Sequence, residues 1–244
     1  MKEITETLIK DFITCFVERN RWKDIVKGLF NTIRIAGVAV LIGIVIGSIV
    51  AIIRCTYDQE FSKKQKGLGK FLLGFFNWLA KLYVTIFRGT PVMIQIMIMF
   101  FVIFARARDG VPVAMLTFGI NSGAYVSEII RGGIMSVDAG QAEACRCLGL
   151  NFVQTMWYVV IPQALKSVLP SLGNEFIALL KETSVACYVA VVDLTKGGEI
   201  IRGATYVQGM PLFVVAMLYL LMVVILSKLV ELLERRLRES DIRS

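Results

Sequence analysis

The sequence contains no histidine at all. That removes the commonest general base near neutral pH and the commonest metal ligand. It also lacks a GxxxxGK[ST] phosphate loop. The nearest approach, Gly67-Leu68-Gly69-Lys70, has neither the leading glycine spacing nor the Ser or Thr. Nucleotide chemistry is therefore not expected of this chain, nor any cofactor bound by it. The five cysteines (Cys15, Cys55, Cys145, Cys147 and Cys187) are odd in number and scattered, which excludes a disulfide framework and a zinc site. Cys145-Arg146-Cys147 is one residue too tight for a CxxC redox pair, so free thiols are expected and no metal. Residues 1–30 never form an apolar stretch before a small-residue cleavage site, so no cleaved signal peptide is expected. Charge is scarce as well, at 19% of residues.

What is abundant is apolar material, 56% of 244 residues, in blocks too many for one soluble core. The chain therefore reads as an integral membrane protein. The net charge of +8 does not argue for nucleic acid, because Lys and Arg cluster beside hydrophobic blocks as in cytoplasmic loops.

Ile35–Ile53 is a run of 19 residues without a charge. At ~1.5 Å per residue it matches a ~30 Å hydrocarbon layer. Gly43 and Gly47 give it a GxxxG pair, read equally as a close-packing site or as ordinary membrane glycine. Arg54, Lys63, Lys64, Lys66 and Lys70 come next, as a cytoplasmic loop. Phe71–Arg88 reads as an interfacial helix whose basic side chains snorkel. Pro91–Ala105 is a short crossing of about 22 Å, with Thr90 as N-cap. Val111–Ile130, Ser167–Val192 and Gly209–Ser227 complete five crossings, and Glu231 and Arg235 form an i,i+4 pair in the tail. The domain expectation is an extracytoplasmic segment 1–34, a membrane domain 35–231 with an insert at 138–162, and a cytoplasmic tail 232–244. Arg19, Arg21, Lys23, Lys27 and Arg34 oppose the external N-terminus on charge grounds; the other loops favour it.

The insert carries its own stop and start signals. Asp138 and Gln141 have capping-box spacing, Gly149 suits a left-handed helix end, and Asn151 with Gln154 repeats the box. Pro162 stops regular helix growth. Two short capped helices make a rigid knob able to transmit force.

Polar groups at membrane depth mark the remaining candidates. Asn121, Tyr125 and Glu128 lie on one helical face and suit an ammonium or cationic side chain. Alternatively Asn121 and Tyr125 bond neighbouring helices while Glu128 pairs with Arg131. Glu175 and Glu182 share a second face. Lys181 meets a substrate carboxylate, or pairs with Glu175 or a partner subunit. Gln95, Thr183 and Ser184 are donors toward a carboxylate. Arg88 reads as a headgroup or loop anchor, and Met93, Met97 and Met99 as packing.

Glu143-Ala144-Cys145, then Gly149, then Ile161-Pro162 resemble the EAA signature of ABC importer permeases. Phe87-Arg88-Gly89-Thr90-Pro91, the stretch Asn121 to Gly133, and Asn174-Glu175-Phe176-Ile177 with Leu180 to Ser184 resemble that family's polar amino-acid uptake branch. The likeness runs from about residue 25 to 238. One position departs: Cys145 stands where the family usually has a residue such as Ala.

The resemblance implies an all-α membrane protein, a type I ABC importer transmembrane domain with about five transmembrane helices and a cytoplasmic coupling helix. It implies a multi-pass subunit of the bacterial plasma (inner) membrane and assigns Asp138, Glu143, Ala144, Cys145 and Gly149 to ATPase coupling. A solvated surface carboxylate is the alternative for Glu143. Implied partners are an ATP-binding subunit that holds ATP and Mg, a second permease subunit (identical or related) and an extracytoplasmic substrate-binding protein. The implied cargo is a polar or cationic amino acid such as arginine, lysine, histidine or glutamine. Cystine, an opine or a small peptide are other cargoes. An ATP-independent channel or secondary transporter is the rival class, against which the sequence offers no inverted repeat.

Overall fold

A computed structural model describes residues 2–60, 68–189 and 191–242. Lys63, Lys64, Lys66 and Gly67 lie outside the described residues. Among those described the chain is helical, with no strand: α1 (Lys2–Phe12), α2 (Trp22–Glu60), α3 (Leu68–Gly89), α4 (Val92–Ile98), α5 (Gly110–Met135), α6 (Ala139–Cys147), α7 (Phe152–Thr155), α8 (Ile161–Glu182), α9 (Leu194–Thr205) and α10 (Gly209–Ile242). Single π-helical turns succeed α1, α4 and α7, and a 3-10 segment, Thr183–Val189, succeeds α8.

Four described helices are long and apolar enough to cross a bilayer: Trp22–Asp58, Gly69–Gly89, Gly110–Met135 and Gly209–Leu237, with mean hydropathies of 2.8, 1.2, 1.3 and 2.6. Val92–Ile103 is shorter. Helix α8 has spanning length at 22 residues but keeps Lys166, Glu175, Lys181 and Glu182 within it. Each of the five expected crossings is helical over most of its length; the second starts at Val92 and reaches Ile103, and the fourth passes from α8 into the 3-10 segment at Thr183.

Three readings change. Helix α2 begins at Trp22, well before the charge-free run at Ile35, because Lys23, Asp24, Lys27 and Arg34 are accommodated on helical turns. The stretch expected to lie at the interface, α3, meets the length and composition of a crossing. Its exposed face is aromatic and aliphatic (Phe71, Phe75, Phe76, Trp78), Asn77 is buried, and Lys81 rests 5.9 Å from the Tyr57 ring centroid. Asn77 Oδ1 has no hydrogen-bond partner, and Lys81 remains exposed beside the ring. Pro162, expected to stop a helix, instead lies inside an unbroken helical stretch from Phe152 to Glu182, directly after a π turn whose Ile161 N–H bonds Met156 O, so the ladder is already shifted where Pro162 has no N–H to give. The preceding π turn, Met156–Val160, joins α7 to α8.

The chain forms two compact units, one of Met1–Ala39, Val92–Phe118 and Ile177–Leu226, the other of Val40–Pro91, Gly119–Phe176 and Ser227–Ser244. In the first, Cys15, Phe16, Ile25, Leu194, Ile201 and Val215 form an apolar cluster. In the second, α2 packs on α5 through glycine. A Cβ on Gly43 would meet Ser122 Oγ at 2.9 Å, and one on Gly47 would meet Val126 Cγ1 at 2.6 Å. The close-packing reading of Gly43 and Gly47 is the one observed.

Candidate functional site

In the second unit the insert folds as a hard-edged elbow. Asp138 caps α6, its Oδ1 accepting from the Gly140 N–H at 2.6 Å. The expected reciprocal bond to Gln141 gives way to this shorter loop, and Gln141 N instead donates to the Asp138 carbonyl at 3.1 Å. Helix α6 ends in a Schellman motif. Leu150 N donates to Cys145 O at 3.0 Å and Gly149 N to Arg146 O at 3.0 Å, with Gly149 at φ 82°. Asn151 and Gln154 then close a full capping box at 2.9 Å in each direction. Every backbone N–H from Leu148 to Asn151 has a local partner, which makes the elbow stiff.

Cys145 is buried beneath α6, as its size allows, while Ala144 and Gly149 are exposed. Glu143 projects outward with Arg146 at 3.8 Å, both largely solvated, a pair of little stabilising value. The elbow and the π turn that follows it also expose apolar side chains absent from the sequence-based candidates: Leu148 (81% exposed), Val153, Trp157 and Tyr158. Their signal was present, as bulky apolar residues inside a polar insert. A cleft of about 580 Å³ runs between α6 and α7, lined in part by Met135, Ala142, Glu143, Arg146 and Phe152. Thr155, buried on its wall, has an Oγ1 without a hydrogen-bond partner. The projection presents two carboxylates, Asp138 and Glu143, together with exposed apolar side chains, which suits a protein partner.

The polar residues of the crossings fall into two sets. In the second unit Asn121 is buried and its Nδ2 donates to Phe87 O at 3.0 Å. The Arg88 guanidinium lies 5.2 Å from the Tyr125 ring centroid. Glu128 bonds Arg54, and takes Arg131 Nη2 at 3.2 Å. Ser122 Oγ donates to Glu175 Oε1 at 2.8 Å. The helix-bonding alternative for Asn121 and the Arg131 partner for Glu128 are therefore observed. Arg54 and the Ser122–Glu175 bond are additions, since pairs this far apart in sequence leave no periodic signal. With two guanidinium partners, Glu128 has little field left for a cationic cargo.

In the first unit Gln95 is buried on α4, which packs against the segment Thr183–Val189. Thr183 Oγ1 donates to Leu180 O at 2.8 Å, Ser184 is half-buried, and Lys181 is exposed. The fold thus brings the Gln95 helix to the Thr183-Ser184 segment.

A buried clasp in the same unit was not among the expected features. Asp193 is fully buried. It caps α9 by accepting from Lys196 N at 2.9 Å and Thr195 N at 3.1 Å, and Tyr219 OH donates to it at 3.4 Å. Thr32 Oγ1 accepts from Leu194 N at 3.0 Å, and Asn31 Nδ2 donates to Val192 O at 2.8 Å. Helices α2, α9 and α10 are tied together around this one residue. Asp193 lies just past the fourth expected crossing, and its burial pushes the carboxyl above the usual range, against the pull of the Lys196 and Thr195 N–H groups.

Against this geometry, residues 67–239 match the family described as binding-protein-dependent transport system inner membrane component. The chain belongs to that family. It is thus an ABC-importer permease subunit, a multi-pass protein of the bacterial inner membrane. A putative glutamine transport system permease of Rickettsia felis is 34% identical over 87% of this permease and 92% of that protein. An arginine transport system permease of Bacillus subtilis is 31% identical over 89% and 94%. A solved structure titled as an amino acid ABC transporter with histidines superposes with TM-score 0.77 at 35% identity, covering 88% of this permease and 94% of that chain.

Proposed function

We propose that this permease carries a polar amino acid inward, driven by ATP hydrolysis in a separate subunit docked on the elbow. The observation that bears most weight is its 35% identity, over 88% of its length, to a chain of a solved amino acid ABC transporter. Glu143, Leu148 and the α6–α7 cleft receive the ATPase, which holds ATP and Mg. Asp138, Cys145 and Gly149 keep the elbow in shape, and Ala144 lies at the contact. A second permease subunit, identical or related, completes the path, and an extracytoplasmic binding protein delivers the cargo. In the first unit Gln95, Lys181, Thr183 and Ser184 are candidate contacts for the cargo's carboxylate; in the second, Glu175 is a candidate for its ammonium. Asn121, Tyr125 and Glu128, already partnered within their own unit, keep α5 in shape.

The test is uptake by proteoliposomes holding this permease, its ATPase and its binding protein, offered radiolabelled glutamine, arginine, lysine, histidine and cystine. ATP-dependent accumulation of one or more of the four polar amino acids is expected. Equal flux without the ATPase would remove the importer reading, and uptake of cystine alone would replace the cargo class.

A further inference from the structure

Helix α1 has an apolar face that its own unit leaves uncovered. Leu8, Ile9, Phe12 and Ile13 fall on one side of the helix and are each between 45% and 55% exposed. Thr7 and Lys10 mark the opposite side. The orientation of this helix is set by the turn at its C-terminal end. That π turn, Ile13–Val17, sinks Cys15 and Phe16 into the cluster with Leu194, Ile201 and Val215. Cys15 Sγ also lies 3.7 Å from Thr205 Oγ1.

The chain then turns sharply into α2. Arg19 and Asn20 both adopt left-handed backbone (φ 55° and 54°), uncommon for residues with side chains, and Arg21 Nη1 donates to Thr14 O at 2.6 Å across the bend. This is a braced corner. Past it the exposed apolar surface continues along the spanning helix through Trp22, Val26, Phe30 and Ile33. Val17, also exposed, stands just before the bend.

We propose that α1 lies along the membrane surface, with Leu8, Ile9, Phe12 and Ile13 in the headgroup–acyl boundary of the bilayer. Continuity with the exposed apolar side of α2 selects lipid over protein as the occupant, since α2 has the length and hydropathy of a membrane crossing. Lys2–Phe12 holds two basic and three acidic residues, so apolar burial, and not attraction to anionic lipid, holds the helix down. Arg19, Arg21 and Lys23 then sit at headgroup depth. There they contact phosphates, and their number no longer argues about which side the N-terminus occupies.

The experiment places nitroxide labels on full-length protein in phosphatidylcholine nanodiscs, in a Cys147→Ser background because the other native cysteines are buried. Labels at Leu8→Cys, Ile9→Cys and Phe12→Cys should collide with oxygen at least about threefold more, relative to a water-soluble nickel chelate, than labels at Thr7→Cys and Lys10→Cys. Equal access to nickel around the helix would show a solvated α1 and overturn the proposal. Protection of the apolar face from both reagents would overturn it too, by showing protein as the cover. A nickel-excluded face that appears only when anionic lipid is added would overturn the apolar mode of binding.

Discussion

The elbow at 138–155 and the clasp at Asp193 solve the same problem, fixing a turn between helices, by opposite means. The elbow is built from neighbours: the bonds that shape it each join residues two to five positions apart, and its outer surface faces solvent. The clasp is built from residues far apart in sequence, with Asn31, Thr32 and Tyr219 converging on Val192–Leu194, and it is buried. A locally determined turn leaves its exterior free for a partner, whereas a turn made by convergence uses up its side chains in holding the fold. Substitutions on the elbow's surface should therefore damage assembly and spare stability; those in the clasp should do the reverse.

The largest expected effect is on assembly. Glu143→Arg or Leu148→Asp should cut copurification of the ATPase by more than about tenfold while the melting temperature of the isolated permease stays within about two degrees, as exposed substitutions rarely exceed ~0.5 kcal/mol. Copurification at the wild-type level would break the contrast from the elbow side.

From the clasp side, Gly28→Ala should be the most damaging. A Cβ there would stand 2.4 Å from Asp193 O and 2.9 Å from Leu194 Cα, all backbone that cannot swing aside. A loss of about 2–3 kcal/mol is expected, net of the helix propensity gained, read as thermal unfolding in nanodiscs.

Asp193→Ala removes the cap and strands buried N–H groups, at a cost of about 2 kcal/mol, whereas Asp193→Asn keeps an acceptor and should lose well under half of that. Because burial raises the carboxyl's folded pKa, its protonation-linked stability is fully present below the unfolded carboxylate range and is lost as pH rises through the folded value. Wild type should accordingly gain on Asp193→Asn as pH falls from neutral toward the ordinary carboxylate range. A difference in melting temperature that does not move over that range would contradict the direction of the shift. Asn151→Ala, at the elbow, should cost about 1 kcal/mol from a lost cap, about half the loss at Asp193→Ala. It should nonetheless weaken ATPase stimulation, because the projection loosens.

The same contrast accounts for what could be read in advance. Asp138, Gly149, Asn151 and Gln154 were legible because cap chemistry is a matter of residue type at short spacing. So were the helical runs of the crossings, whereas the Gly43–Gly47 spacing left close packing and ordinary membrane glycine equally open. Asp193 was visible only as the first residue of a polar loop; its burial depends on Gly28, far away in the sequence. Arg54 with Glu128, and Ser122 with Glu175, were hidden for the same reason. Helix α3 was read as interfacial because Asn77, Lys81 and Arg88 outweighed its length; Asn77 is in fact buried, and the two cations stand beside the Tyr57 and Tyr125 rings. Pro162 misled because a helix can absorb a proline where a π turn shifts its hydrogen-bond ladder, and nothing in residue type or spacing announces the turn at Met156–Val160.

The most direct measurement uses Cys147, an exposed thiol at the end of α6, while Cys15, Cys55, Cys145 and Cys187 are buried. A short thiol-linked photo-crosslinker placed there in the intact transporter should join the permease to its ATP-binding subunit, and Cys147→Ser should abolish the product. A crosslink to the substrate-binding protein instead, or none in a complex that still couples ATP hydrolysis to uptake, would contradict the assignment of the elbow as the site where the two subunits meet.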